Sequence, residues 1–181
     1  MFDAMKLFAS ALLALMALGL FSFQHLVYTP QASNAIVSFS MADSSATGTF
    51  GDPKGKVVFD INDLSTAAID VCIKAKTVNT GIAERDHHLV GEDFFDVKKF
   101  PEITYKLGSA VKNADGSLSL IGDFTMKGVT KLVVMKGLVI TDNGKKYLTA
   151  SLPINRIDYG LGSAEDGVGT KLMANLKYSL K

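Results

Sequence analysis

The sequence predicts an all-β antiparallel fold with one short helix, and three observations predict it. Apolar and polar residues alternate in many short runs after Gln24, glycine-containing turns fall where these runs end, and one charged segment breaks the alternation. Many short strands joined by tight turns are typical of a β-barrel or a β-sandwich, and the strand pattern alone leaves both open.

The alternation has a period of two, which indicates strands with one buried and one solvent-facing side. It is clearest in the last run, where Leu, Ala, Leu, Tyr and Leu occupy every second position from 172 to 180. The nine candidate strands are 37–41, 47–50, 56–61, 69–75, 103–107, 118–126, 131–140, 148–154 and 172–180.

Turn residues separate these runs. Asp-Gly at 115–116 and Asn-Gly at 143–144 predict two-residue hairpins, because both central residues of that turn need positive φ. A further tight turn is predicted at 51–55, and Gly128 is expected to mark the bend between two consecutive strands.

From 79 to 100 the alternation stops and charged residues cluster. Thr80 is expected to cap a helix near residues 81–90, with Glu84 and Asp86 close to its positive end. A second irregular stretch, rich in glycine, runs from 160 to 169. Irregular connections on a rigid scaffold often carry function.

The composition narrows the class of partner. The 181 residues fit one domain with or without a targeting segment, and 48% of them are apolar. With 19 basic and 18 acidic residues the net charge is +1, so we expect no nucleic-acid partner. Cys72 is the single cysteine, which excludes an internal disulfide, and no cofactor is expected.

The N-terminus predicts export. Lys6 precedes an apolar run from 7 to 23, so residues 1–23 are interpreted as a signal peptide or an N-terminal anchor, and 26–181 as the working domain. The expected location is periplasmic or secreted. The alternative is a membrane-anchored domain outside the cytoplasm, with membrane contact through the uncleaved N-terminus.

Searches for catalytic and metal motifs find little. The best metal candidates are Glu84, His87 and His88 together with Asp86, but adjacent histidines on a helix diverge by about 100°. A solvated helix face therefore explains this cluster better than a metal site does.

Four blocks of the sequence carry a family resemblance. They are Gly-Thr-Phe at 48–50, the segment 80–103 containing Arg-Asp-His-His-Leu, Gly-Asp-Phe-Thr-Met-Lys-Gly within 122–131, and Ile-Asn-Arg-Ile-Asp-Tyr-Gly at 154–160. Together, and in this order, they resemble the YceI-like family, the lipid- or polyisoprenoid-binding barrels of bacteria. The second and third blocks are the most specific.

The resemblance implies a lipocalin-like antiparallel β-barrel of about eight strands that holds an isoprenoid or another long-chain lipid. An interior of that size admits one slim ligand. Small residues at inward positions favour a cavity, namely Ala75, Gly122, Ala150 and Ala174. The predicted function is binding, carriage or storage of such a ligand. The alternative is an enzyme acting on it with His88 as acid–base, and a homodimer stays open.

Aromatic side chains are the first candidates for ligand contact, with plain core packing as the alternative for each. They are Phe39, Phe94, Phe95, Tyr105, Phe124 and Tyr159. Arg156 is the candidate for a phosphate or carboxylate head group, or else forms a structural pair with Asp158 or Asp86. Arg85, Asp86 and His88 are expected to fix the helix to the barrel by hydrogen bonds, with head-group contact as their second role.

Overall fold

The computed structural model describes residues 27–28 and 35–180. The predicted signal peptide or anchor at 1–23 lies outside these residues. In the described part of the chain, no helix is both long enough and apolar enough to cross a membrane.

Within the described residues the fold is all-β with one α-helix, as predicted. The nine predicted strands are present, although the one expected at 56–61 lies at 54–58, and two further strands have only two residues each. The strands are β1 Val27–Tyr28, β2 Ala35–Met41, β3 Thr47–Phe50, β4 Lys54–Val58, β5 Ala68–Lys74, β6 Val78–Asn79, β7 Glu102–Lys112, β8 Leu118–Met126, β9 Val129–Asp142, β10 Lys145–Asn155 and β11 Lys171–Leu180; the helix is α1 Ala83–Leu89.

All strands pair antiparallel in one curled sheet with the order β1-β4-β5-β7-β8-β9-β10-β11-β2-β3-β6. β3 and β4 are consecutive in the chain, yet no pairing between them occurs among the described residues. The predicted tight turn at 51–55 is therefore not a hairpin. It carries the chain across a seam between β3 and β4, which lie next to the end strands β6 and β1 of the sheet.

Two hairpins have the geometry that the sequence predicts. Asn143 and Gly144 have φ of 49° and 74° between the paired residues Asp142 and Lys145. The bend at Gly128 has the same geometry, with φ of 47° at Lys127 and 74° at Gly128. Two residues of positive φ match the right-handed twist of the flanking strands.

The prediction of a two-residue hairpin at 115–116 is wrong. Asn113 N donates to Ser117 O at 2.8 Å, so the loop contains three residues. Gly116 has φ of 82°, whereas Asp115 is not among the residues of positive φ. This is the three-residue hairpin that ends in a left-handed glycine.

The predicted helix is confirmed as α1, but its capping is not as predicted. The N-cap is Ile82, without a side-chain hydrogen bond. Thr80 instead donates from its backbone N and from Oγ1 to Asp86 Oδ1, at 2.8 and 2.6 Å. Arg85 Nε donates to Thr80 Oγ1 at 2.9 Å. These bonds tie the helix to the strand segment before it.

Alternation along the long strands separates two faces of the sheet. The inner face holds the core, in which Leu118 and Leu148 are fully buried. The outer face of β9 is exposed, with Leu132 73% and Val134 55% accessible. The side-chain parity read from the sequence therefore decides burial, as the period of two requires.

Candidate ligand-binding cavity

The curled sheet encloses an apolar cavity with a volume of about 90 Å³. Its walls come from β2, β4, β5 and β7 to β11. The lining side chains include Ala35, Val37, Val57, Ile69, Val71, Ile73, Ile103, Tyr105, Leu120, Phe124, Met135, Ala150, Leu152, Ala174, Leu176 and Tyr178. An enclosed surface of this kind favours contact with hydrocarbon over contact with water.

Small side chains in the wall account for part of the cavity volume. Ala150 and Ala174 line the cavity, as expected from the sequence. Ala75 is buried but is not part of the wall. Gly122 has another reason to be small, because a Cβ there would collide with the carbonyl oxygen of Lys106 and with Leu107 Cα. Close approach of neighbouring strands, and not ligand space, explains that glycine.

The seam between β3 and β4 borders the cavity. Pro53 and Lys54, at the end of the β3–β4 connection and the start of β4, both contribute to its lining. In the described residues no strand ladder joins β3 to β4 across this seam. The connection between the two strands is held by Gly51, whose backbone N donates to Thr77 Oγ1 at 3.1 Å.

Tyr105 and Phe124 lie in the cavity wall, where the sequence led us to expect ligand contacts. They are directly opposite each other on β7 and β8. Tyr159 is buried behind them, with its ring edge-on to Phe124 at a centroid distance of 5.5 Å and with Lys131 Nζ 5.4 Å from its centroid. Burial, followed by the charge of Asp158, raises the pKa of Tyr159.

Phe39 and Phe95 belong to a second aromatic cluster. Phe50 joins them, with ring centroids 5.8 Å from Phe39 and 5.6 Å from Phe95. Phe95 is 7% exposed and packs into the core. None of the three is among the cavity-lining residues, so they hold the segment after α1 against β2 and β3.

Phe94, His88 and Arg85 lie in another place, an open groove of about 1040 Å³ between α1 and the 160–169 loop. The His88 and Phe94 rings meet edge to face at 4.9 Å. The groove and the cavity share no lining residue. Apart from Tyr159 and Arg156, the predicted site residues are thus divided between the cavity wall, the aromatic cluster and the groove.

Arg156 is buried, only 3% exposed, and holds the 160–169 loop. Its guanidinium donates to five acceptors at 2.6 to 3.0 Å. They are the carbonyl oxygens of Leu161, Ser163, Val168 and Gly169, and Asp166 Oδ1. The structural pair that we gave as the alternative for Arg156 is therefore present, but its partner is Asp166 and not Asp158 or Asp86.

Lys127 has a structural role that the sequence analysis did not predict. Its Nζ donates to the carbonyl oxygens of Glu92, Asp93 and Gly160, at 2.9, 3.3 and 2.7 Å. It therefore joins both irregular segments to the β8–β9 hairpin at one end of the curled sheet. The positive φ of Lys127 places it in the turn, but nothing in the sequence shows which carbonyls it reaches.

The hypothesis of a metal site on the helix finds no support in the described residues. Within 27–28 and 35–180, no group of three or more His, Cys, Asp and Glu side chains is arranged to hold an ion. Asp86 is instead engaged with Thr80.

Proteins of known sequence resemble this chain over most of its length. The sequence model of the YceI-like domain matches residues 28–179. A UPF0312 protein of Pseudomonas fluorescens is 34% identical over 173 residues, which cover 86% of this chain and 87% of that protein. A UPF0312 protein of Yersinia pestis is 40% identical over 89 residues, 49% of this chain and 46% of that protein.

Solved structures have the same fold. Burkholderia cenocepacia BcnA superposes with a TM-score of 0.76 at 19% identity, covering 83% of this chain and 99% of that one. The Campylobacter jejuni YceI protein gives 0.64 at 27% identity, covering 76% and 86%. A polyisoprenoid-binding domain from Saccharophagus degradans gives 0.56 at 13% identity, covering 85% and 97%. By its sequence this chain belongs to the YceI-like family.

Proposed function

We propose that the protein binds a long-chain apolar ligand, an isoprenoid or a fatty amphiphile, inside the curled sheet and serves as its carrier or store. The observation that carries this proposal is the apolar cavity whose wall draws side chains from eight strands. The Saccharophagus domain of the same fold is described as polyisoprenoid-binding, which supports the same class of ligand here.

The size of the cavity limits how the ligand enters. Its volume of about 90 Å³ is small beside the 300–1,000 Å³ that is usual for sites of drug-sized ligands. A long chain therefore has to displace side chains or spread the seam between β3 and β4. We propose the seam as the entry route, because no strand ladder joins β3 to β4 across it in the described residues.

The energy gained by burying the chain is of the same order as the cost of binding it. Burying about fifteen methylene groups yields roughly 12 kcal/mol at about 0.8 kcal/mol each. Association and ordering take back roughly 4–15 kcal/mol. Affinity then depends on how much the wall has to rearrange, and no charged head-group contact is required.

The cell compartment is part of the proposal. The apolar run from 7 to 23 after Lys6 supports export, either with cleavage or with retention as an anchor. We propose that the barrel works outside the cytoplasm, where a water-insoluble ligand needs a carrier between membranes.

Native mass spectrometry of freshly purified protein, followed by organic extraction, tests the binding proposal. We expect an apolar long-chain adduct that Ala150→Leu reduces, because the added carbons occupy the cavity. The matched control is Val134→Phe, which adds bulk to the exposed outer face of β9 and is expected to keep the adduct. A folded wild-type protein without extractable lipid and without lipid uptake would refute the proposal.

We further propose that binding involves no catalysis. His88, the residue named for the enzyme alternative, lies in the outer groove and not in the cavity wall. Incubation of the loaded protein with its extracted ligand is expected to leave that ligand unchanged. Turnover that disappears in His88→Ala would establish the enzyme instead.

A further inference from the structure

Tyr105 combines burial with an unused hydrogen-bonding group. Its side chain is 6% exposed and forms part of the cavity wall. The hydroxyl oxygen is buried and has no hydrogen-bond partner among the residues that the structure describes. Buried hydroxyl groups are nearly always paired, because an unpaired one costs about 1–3 kcal/mol.

The surroundings of Tyr105 are apolar on both sides. Its direct cross-strand neighbours are Val71 on β5 and Phe124 on β8. Burial raises the pKa of the phenol, so the hydroxyl keeps its proton throughout the physiological range and stays a donor. A donor in an apolar wall is suited to an acceptor that arrives with an apolar ligand.

Building on the proposed function, we propose that the Tyr105 hydroxyl recognises a neutral oxygen acceptor on the bound chain, such as the carbonyl of a ketone, an ester or a quinone. The ligand then binds with this oxygen beside the Tyr105 hydroxyl. A pure hydrocarbon leaves the hydroxyl unpaired. Tyr105 is therefore the residue that selects among ligands of equal length.

An anionic head group does not suit this position. A carboxylate or phosphate beside Tyr105 would be buried with a single neutral donor, and burying an unpaired charge is strongly unfavourable. Among the lining residues the basic one is Lys54, which is 70% exposed at the seam and paired with Asp52 at 3.5 Å. The part of the cavity beside Tyr105 therefore favours a neutral ligand.

Two ligands of equal length separate the contribution of the acceptor from that of the chain. Delipidated protein is titrated with 2-heptadecanone and with heptadecane, in the wild type, in Tyr105→Phe and in Tyr147→Phe. Tyr147→Phe is the matched control, because it removes a hydroxyl from β10 outside the cavity lining. We expect Tyr105→Phe to reduce the preference for the ketone by about fivefold and to leave the affinity for heptadecane unchanged.

Infrared spectroscopy gives a reading that a purely structural role would not alter. The carbonyl stretch of bound 2-heptadecanone is expected at lower frequency in the wild type and in Tyr147→Phe than in Tyr105→Phe, because a hydrogen bond weakens the C=O bond. Hexadecanoate serves as the anionic comparison and is expected to bind more weakly than the ketone.

The outcomes distinguish this inference from the function on which it rests. Equal ketone preference and equal carbonyl frequency in wild type and Tyr105→Phe, with both ligands bound, overturn the role of Tyr105 alone. Tighter binding of hexadecanoate than of the ketone overturns the preference for a neutral ligand. If the folded wild type binds neither chain, the proposed function fails and this inference fails with it.

Discussion

Arg156 and Tyr105 are both buried polar residues, but their surroundings differ. In the 160–169 loop, Arg156 donates to five acceptors and is 3% exposed. In the cavity wall, the Tyr105 hydroxyl has no partner among the described residues. The comparison teaches that a fully paired buried group maintains architecture, whereas an unpaired one marks a place where a ligand can supply the missing bond.

The largest effect is expected from removing the paired group. Arg156→Met should lower the free energy of unfolding by about 3–5 kcal/mol, because it strands several loop carbonyls and the Asp166 carboxylate. Urea denaturation measures this change. Lys136→Met is the matched control, since Lys136 is exposed on the outer face of β9 and its loss should cost no more than about 0.5 kcal/mol. Equal stability of the two variants would contradict a structural role for Arg156.

The next largest effect compares the loss of stability when a leucine is truncated in the apolar interior and on the outer face of the same sheet. Leu118→Ala should cost about 2–5 kcal/mol, because Leu118 is fully buried and its truncation leaves a cavity. Leu132→Ala removes the same atoms from a side chain that is 73% exposed and should be nearly neutral. Urea midpoints of the two variants measure the contrast. Similar losses would mean that the outer face of β9 is covered in solution.

Tyr105→Phe is expected to change the free energy of unfolding in the opposite direction to Arg156→Met. In delipidated protein it should raise the free energy of unfolding by about 1 kcal/mol, because it removes an unpaired buried hydroxyl and keeps the ring. Tyr147→Phe, which lies outside the cavity lining, should leave stability unchanged. Thermal or urea unfolding of the three proteins measures the difference. Destabilisation by Tyr105→Phe would show that the hydroxyl is paired within the protein.

The smallest effect concerns acid stability of the loop. The backbone N–H of Val168, then Arg156, holds the pKa of Asp166 below its ordinary value of 3.8. A lowered folded-state pKa adds stability above the unfolded value, and that stability is lost as the pH falls below 3.8 toward the folded value. Asp166→Asn should therefore flatten the acid side of the stability curve measured by urea midpoints. An acid limb as steep as that of the wild type would contradict the prediction.

Much of the sheet follows from local rules, and the exceptions have physical causes. Alternation located nine strands, and Asn143-Gly144 and Gly128 located two hairpins, because side-chain parity and positive φ are local properties. The loop at Asp115-Gly116 differs because Ser117 pairs with Asn113 and not with Ala114, which leaves three residues in the loop. Thr80 does not cap the helix because the helix begins at Ala83 with Ile82 at its N-cap, and the Thr80 hydroxyl donates to Asp86 instead.

The candidate site was harder to predict from the sequence than the fold was. The aromatic residues could be named, but their division between cavity, cluster and groove depends on contacts between distant strands, such as Tyr105 with Phe124. The partner of Arg156 is ten residues away in an irregular loop, where no periodic pattern indicates which side chains meet. The seam depends on which strands do not pair, and alternation carries no information about that.

The sequence by itself determined that the chain is an antiparallel β-protein, which faces of its strands are buried, and that it belongs with the YceI-like family, because these properties depend on neighbours along the chain. Only the tertiary structure decided that Arg156 is a structural residue. It also decided that, within 27–28 and 35–180, β3 does not pair with β4 and the Tyr105 hydroxyl has no hydrogen-bond partner. Burial and hydrogen bonding between remote segments are set by how the sheet curls, and curling is a property of the whole sheet.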